Sequence, residues 1–180
     1  MKVFAEAGYK KTFVSEIAKE AGISKAMVFF YFGTKKAVYL YLMQFSFSVV
    51  EAALSKLLDH NATDFFDRVL QMTQIKLSVI KEHPPVLGFL SSMYFETDEE
   101  VIEEIKASQK YGEALRNGMT LTDIDRKKFK DGIDPQLVMN ILVKYTEGYI
   151  SCIPKGHPIE LEPLLDEFYK CVKLMKNHFY

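Results

Sequence analysis

The 180-residue chain is 48% apolar and 26% charged, a balance that belongs to ordinary globular proteins and excludes a disordered or low-complexity polymer. Its two cysteines, Cys152 and Cys171, fit neither a metal-ligand spacing nor a secreted disulfide framework, and no charged-then-apolar leader stands at the start, so a reducing cytoplasm is expected. The net charge of −1 hides an asymmetry: residues 1–36 hold seven lysines against three glutamates, +4, and the remainder carries −5. A basic tip suits a polyanion and an acidic body does not.

Apolar residues recur at helical spacing along the chain, and short alternating patterns that would signal strands are scarce. The fold expected is all-α, with about nine helices: a small three-helix N-terminal part and a larger helical body. "VFAEAGY" reads as the last turns of a first helix, with Gly8 just past its end. Thr12 can cap a second helix through about Ala21, and Ser24 a third through about Phe32. Thr34 starts a long fourth helix to about Asp59. Within it, Val38 to Leu54 is the most membrane-like stretch, but it is short for a span and carries Gln44 and Glu51, so a buried helix is expected. A fifth helix, capped at Thr63, runs to His83, where "HPP" ends it. A sixth covers Pro85 to Phe95, and a seventh runs from Asp98 to about Asn117. Thr120 to Ile133 reads as a loop with at most one helical turn. Asp134 and Pro135 give a cap and first-turn proline for a helix to about Cys152, and "PKGHP" separates it from a last helix, Glu160 to about Asn177.

The stretch "EIAKEAGISKAMVFFYFGTKK" carries the chemistry. Ile17, Ala18 and Ala21 share one side of the second helix, where small side chains admit a close neighbour. Gly22 suits the left-handed turn between two helices, Ile23 plugs the corner, and Ser24 opens the next helix. There Val28 and Phe32 lie together and can pack inward, leaving Ala26, Phe29 and Phe30 outward, with Lys25 and Met27 on the flanks. An uncovered apolar face on a short helix needs a partner. The N-terminal part of a helix-turn-helix reading helix finds one in the major groove, where Met27, Phe29 and Phe30 suit thymine methyl groups and Ala26 allows close approach. Lys35 and Lys36 stand in the first turn of the fourth helix, where the macrodipole disfavours positive charge, and a DNA phosphate is the expected compensation.

The ordered pattern "T-x4-IA-x2-AGIS-x4-F-x-YF-x2-K", Thr12 to Lys35, resembles the DNA-binding region of TetR-family transcriptional regulators. The resemblance covers about the first 40 residues. By position it implies DNA contacts from Thr12, Lys25, Ala26, Met27, Phe29, Tyr31 and Lys35; with Ser24, Phe30 and Lys36 these form the candidate DNA-binding set. It also implies a homodimer built on the last two helices, and a ligand cavity in the larger domain whose occupation moves the fourth helix. Residues 1–36 are then the DNA-binding domain and 37–180 the ligand-binding and dimerisation domain. The sequence departs from the family's habit at Ala26, where glycine is common, at Phe29, where tyrosine is common, and at Lys36, where an acid is common. Its first helix is expected to be truncated relative to the family's: either the sequence lacks the start of that helix or the helix is a stub.

In the body, Phe45, Phe65, Phe66, Met72, Phe89, Met93, Tyr94, Tyr111, Tyr145 and Tyr149 are candidates for the wall of an apolar cavity, with ordinary core packing as the alternative for each. As a set they favour a hydrophobic or aromatic effector. Broad apolar faces on the last two helices, including Leu137, Ile141, Gly148, Leu164, Phe168, Val172 and Met175, point to burial against a second subunit as well as the body. His60, His83, His157 and His178 lack the company that a metal or nucleophile needs, and the acidic run Asp98, Glu99, Glu100, Glu103 and Glu104 reads as a solvated helix start. No catalytic motif, cofactor loop or metal cluster is found, so an enzyme is not expected. The reading is a repressor released from a palindromic operator by an apolar small molecule. The alternative is a helical ligand-binding or interaction module with weakened or lost DNA binding.

Overall fold

The computed structural model describes residues 1–153 and 160–180. Among them are nine α-helices and no strand: α1 Lys2–Lys11, α2 Val14–Glu20, α3 Lys25–Phe32, α4 Lys35–Leu57, α5 Phe65–Glu82, α6 Pro84–Ser92, α7 Ile102–Leu121, α8 Pro135–Ser151 and α9 Leu161–Phe179. Short 3-10 turns occupy Met93–Phe95 and Arg126–Lys128. The all-α expectation is met. The "PKGHP" separator, with His157, lies outside the described residues.

Local chemistry explains most boundaries. The Ser24 and Asp134 side chains accept from the Met27 and Gln136 backbone N–H groups, and Thr34 Oγ1 accepts from Ala37 at 3.0 Å. Gly8 takes φ +75° and breaks α1. Three expectations need correction. Thr12 does not cap α2; the helix starts after Phe13, whose N–H donates to the Glu16 carboxylate at 2.8 Å. Asp64, not Thr63, caps α5, accepting from Asp67 N–H at 3.1 Å. α7 starts at Ile102 because Asp98 first forms a turn, its side chain accepting from Glu100 and its carbonyl from Val101 and Ile102.

The chain divides into two compact units, with α4, α5 and α7 each contributing to both: residues 1–52 with 79–111, and residues 53–78 with 112–180. The core of the first is aromatic. Phe4, Tyr9, Tyr39 and Phe89 are buried, and the Tyr39 ring meets those of Phe4, Tyr9 and Phe89 edge-on at 5.1, 5.3 and 5.2 Å. Ala18, Val28, Met43, Val101 and Ile105 extend this core, so the small N-terminal helices share it with α6 and α7. In the second unit Phe65, Phe66 and Phe129 pack with Val138, Leu142, Phe168 and Val172, and Tyr180 closes on Phe66 and Phe129 at 5.1 and 4.9 Å. The buried Arg68 donates to four backbone carbonyls, of Ala62, Met119, Thr122 and His60, and is satisfied there without a carboxylate. Burial pushes the Asp64 carboxyl up, but hydrogen bonds from Lys128, Asp67 N–H and Lys176 outweigh it and hold the group below its ordinary value.

α4 is long and apolar enough to cross a membrane by length and composition. The expectation that it is wholly buried is corrected, because Val38, Tyr39, Met43 and Ser46 form an inward stripe while Tyr41 and Phe45 face out. Of the histidines described, His60 and His178 are exposed and His83 caps α6.

Candidate nucleic-acid interface

α2 and α3 are joined by a three-residue turn plus the capping Ser24. Gly22 sits at φ +67°, a conformation costly for residues with a Cβ, and Ile23 N–H returns to Ala18 O at 3.0 Å. Ala18 and Val28 meet in the core, so the two helices are pinned by small side chains at their crossing. With Val28 only 3% exposed, the α3 register is fixed and the opposite face must look outward.

That face is apolar. Ala26, Met27 and Phe29 are exposed, Phe30 is 83% exposed, and Tyr31 is exposed with its ring against Phe30 at 5.3 Å. Lys25 Nζ stands 5.7 Å from the Phe29 ring, leaving its ammonium at the rim of the patch. Phe32 turns aside to pack on Tyr41 of α4 at 5.3 Å. A further exposed ring, Phe13, stands at the head of α2. Sequence reading passed over it because the cap was assigned to Thr12; the signal was the "SE" after it, whose Glu16 holds the Phe13 amide.

The other candidates in this segment are held internally. Thr12 is 1% exposed, and its hydroxyl donates to Gly8 O at 2.7 Å, a carbonyl left open by the break in α1. Lys35 Nζ donates to Tyr9 O at 2.9 Å and lies 4.1 Å from the Tyr9 ring centroid. Lys36 pairs with Glu104 at 2.6 Å, and that bond holds the Glu104 carboxyl below its ordinary range. The compensation expected from a phosphate at the start of α4 is therefore supplied from within the chain. The acidic run before α7 is correspondingly more than a solvated helix start. Glu96 accepts from Tyr9 N–H at 2.6 Å and Glu100 from the Tyr9 hydroxyl, and burial together with that carboxylate pushes the Tyr9 phenol up. These partners are distant in sequence, which is why spacing alone did not reveal them.

The candidate ligand set is split between the units. Phe89 and Met93 are buried in the first, where Phe45, Tyr94 and Tyr111 are exposed; Tyr111 donates to Glu51 at 2.8 Å. Phe65, Phe66 and Met72 are buried in the second, where Tyr145 donates to Glu167 at 2.7 Å and Tyr149 is partly exposed. The candidate dimer set also divides. Leu137, Ile141 and Gly148 of α8 are exposed and Met175 is partly so, whereas Leu164, Phe168 and Val172 of α9 face the core of their own unit. Leu174, exposed on α9, was not among the candidates.

A helix-turn-helix with an exposed apolar face and Lys25 at its rim is an arrangement of the kind DNA-binding proteins present. Residues 1–42 match the family model described as "Bacterial regulatory proteins, tetR family". The chain is 23% identical over 149 residues to the fatty acid metabolism regulator protein of Bacillus subtilis (strain 168), covering 79% of this chain and 73% of that protein. Its fold is similar to the fatty acid degradation regulator FadR from Bacillus halodurans, with a TM-score of 0.68 at 17% identity over 99% of this chain and 95% of that one. It is also similar to the TetR-family regulator PfmR from Thermus thermophilus, with a TM-score of 0.61 at 18% identity over 95% and 92%. The first 42 residues thus match the TetR-family model, and the chain as a whole shares the fold of solved regulators of that kind.

Proposed function

We propose that this regulator is a homodimeric, cytoplasmic repressor. Its paired α3 helices read successive major grooves of a palindromic operator, about 34–36 Å apart. Residues 1–36 read the DNA; residues 37–180 hold an effector and form the dimer. One observation carries the reading: Ala26, Met27, Phe29 and Phe30 of α3 are exposed while Val28 is buried, so an apolar surface is offered where base edges cover it. Ser24, Lys25 and Tyr31 flank that surface and contact the backbone. Thr12, Lys35 and Lys36 act as positioning residues, since their polar groups are engaged inside the chain. The exposed Leu137, Ile141, Gly148 and Leu174 support a seam formed by α8 and α9.

The effector is an apolar small molecule whose binding changes the spacing of the two reading helices. The names of the two fatty acid regulators above favour a fatty acid or a close derivative. A coupling of about 1–3 kcal/mol between the sites suffices for release. Operator affinity measured with and without a long-chain acid tests this: a fall on addition is expected, and equal values remove the inducer half. The internal engagement of Lys35 and Lys36 favours one competing reading, an effector-binding module with weakened DNA binding. Salt separates the two, because a repressor loses affinity steeply as salt rises, whereas an idle tip has little to lose.

A further inference from the structure

α5 breaks its own pattern. Phe65, Val69 and Met72 mark its inward stripe at spacings of four and three, and the next position in that register is Lys76. The residue is partly buried, and desolvation of its ammonium group, followed by the nearby Arg116 charge, lowers its pKa to about 8. Arg116, on α7, has a buried Nε with no hydrogen-bond partner, and the adjacent Asn117 has a buried, unpaired Oδ1. Neither Lys76 nor Arg116 has a carboxylate within ion-pair distance, although every aspartate and glutamate of the chain is among the described residues. The same two helices treat another cation differently nearby: the Arg68 donors are satisfied by carbonyls that include those of Met119 and Thr122, at and just past the end of α7. Two neighbouring like charges, one desolvated and the other with a buried, unused donor, are costly unless an anion joins them.

We propose that Lys76 and Arg116 form an anion-binding subsite inside residues 53–78 and 112–180, and that it takes the carboxylate of a single-chain apolar acid. The site is built for a carboxylate, because a guanidinium presents a planar fork to two oxygens and an ammonium adds a point charge beside it. Met72 and Ile75, the buried α5 neighbours one turn below and beside Lys76, supply apolar surface for the rest of the molecule. The inference rests on the fatty acid effector reading above and names the group that fixes such a molecule.

The test is isothermal titration of the full chain with laurate and with dodecanol, the same chain without the charge, followed by operator binding in laurate. Laurate is expected to bind wild type and to lose about tenfold or more in affinity with Lys76→Met or Arg116→Met, while Lys76→Arg retains most of it. Dodecanol is expected to bind weakly and without regard to these substitutions. Ligand-free Lys76→Met should melt no lower than wild type, so loss of binding is not loss of fold. Failure of laurate to bind wild type, equal binding of dodecanol, or unchanged laurate affinity in both Met variants overturns the subsite. Laurate bound through Lys76 without operator release keeps the subsite and removes the effector reading. Release that persists unchanged in Lys76→Met does the opposite.

Discussion

α3 and α5 depart from ordinary burial in opposite directions. α3 sends Phe29, Phe30 and Met27 outward, where water meets them, and α5 sends Lys76 inward, where little water does. Among the described residues neither departure is relieved: the Phe30 ring stays exposed beside Tyr31, and no carboxylate pairs with Lys76. The other helices turn an apolar stripe to one of the two cores, although α4, α8 and α9 also leave Tyr41, Leu137, Ile141 and Leu174 exposed. Local rules often fail at places where a second molecule completes the environment, and the two partners proposed above have opposite chemistries, nucleobase edges outside and an anion inside.

The comparison is sharpened first by a core residue that obeys the rule. Phe4→Ala, in the ring cluster with Tyr39 and Phe89, should cost about 3–5 kcal/mol in a denaturant melt. Lys76→Met should do the reverse and gain about 1–3 kcal/mol at pH 7 without ligand. Its folded pKa of about 8 lies under the ordinary 10.5, so between those values the unfolded chain binds more protons. Wild-type stability should therefore rise with pH across that window, and the rise should vanish in the variant; a flat wild-type profile there refutes the buried charge. Phe30→Ser should leave the melt unchanged, since the ring touches solvent, but lower operator affinity about tenfold. The smallest effect separates two lysines of one segment. Lys25→Ala should reduce the salt slope of DNA binding by about one, and Lys36→Ala should leave it unaltered, because Glu104 already holds that charge.

Much of this was legible from residue order. Helix number, the Gly22 turn, the Ser24 cap and the outward set Ala26, Phe29 and Phe30 are local matters, decided within a few residues by periodicity and capping chemistry. What was missed depends on partners far along the chain. Thr12 looks like a cap until the break at Gly8 claims its hydroxyl, and Lys36 looks like a phosphate ligand until Glu104 arrives from α7. The aromatic residues of the body could be named as apolar walls but not sorted, since no short-range signal tells that Phe89 and Phe66 sit in separate cores. Lys76 was overlooked for a related reason: one lysine in a helix is commonplace until its register is known.

The contacts of Tyr9 and Lys36 with Glu96, Glu100 and Glu104 fasten the reading head at two points, the end of α1 and the start of α4, to a single acidic mount. A body bolted at two points cannot swivel on either bolt alone; it tilts only when its mount tilts. The depressed Glu104 carboxyl keeps one bolt charged, and therefore closed, through mild acid. On the reading proposed above, the aim of α3 thus follows residues 96–104, which lie outside the proposed DNA-binding set.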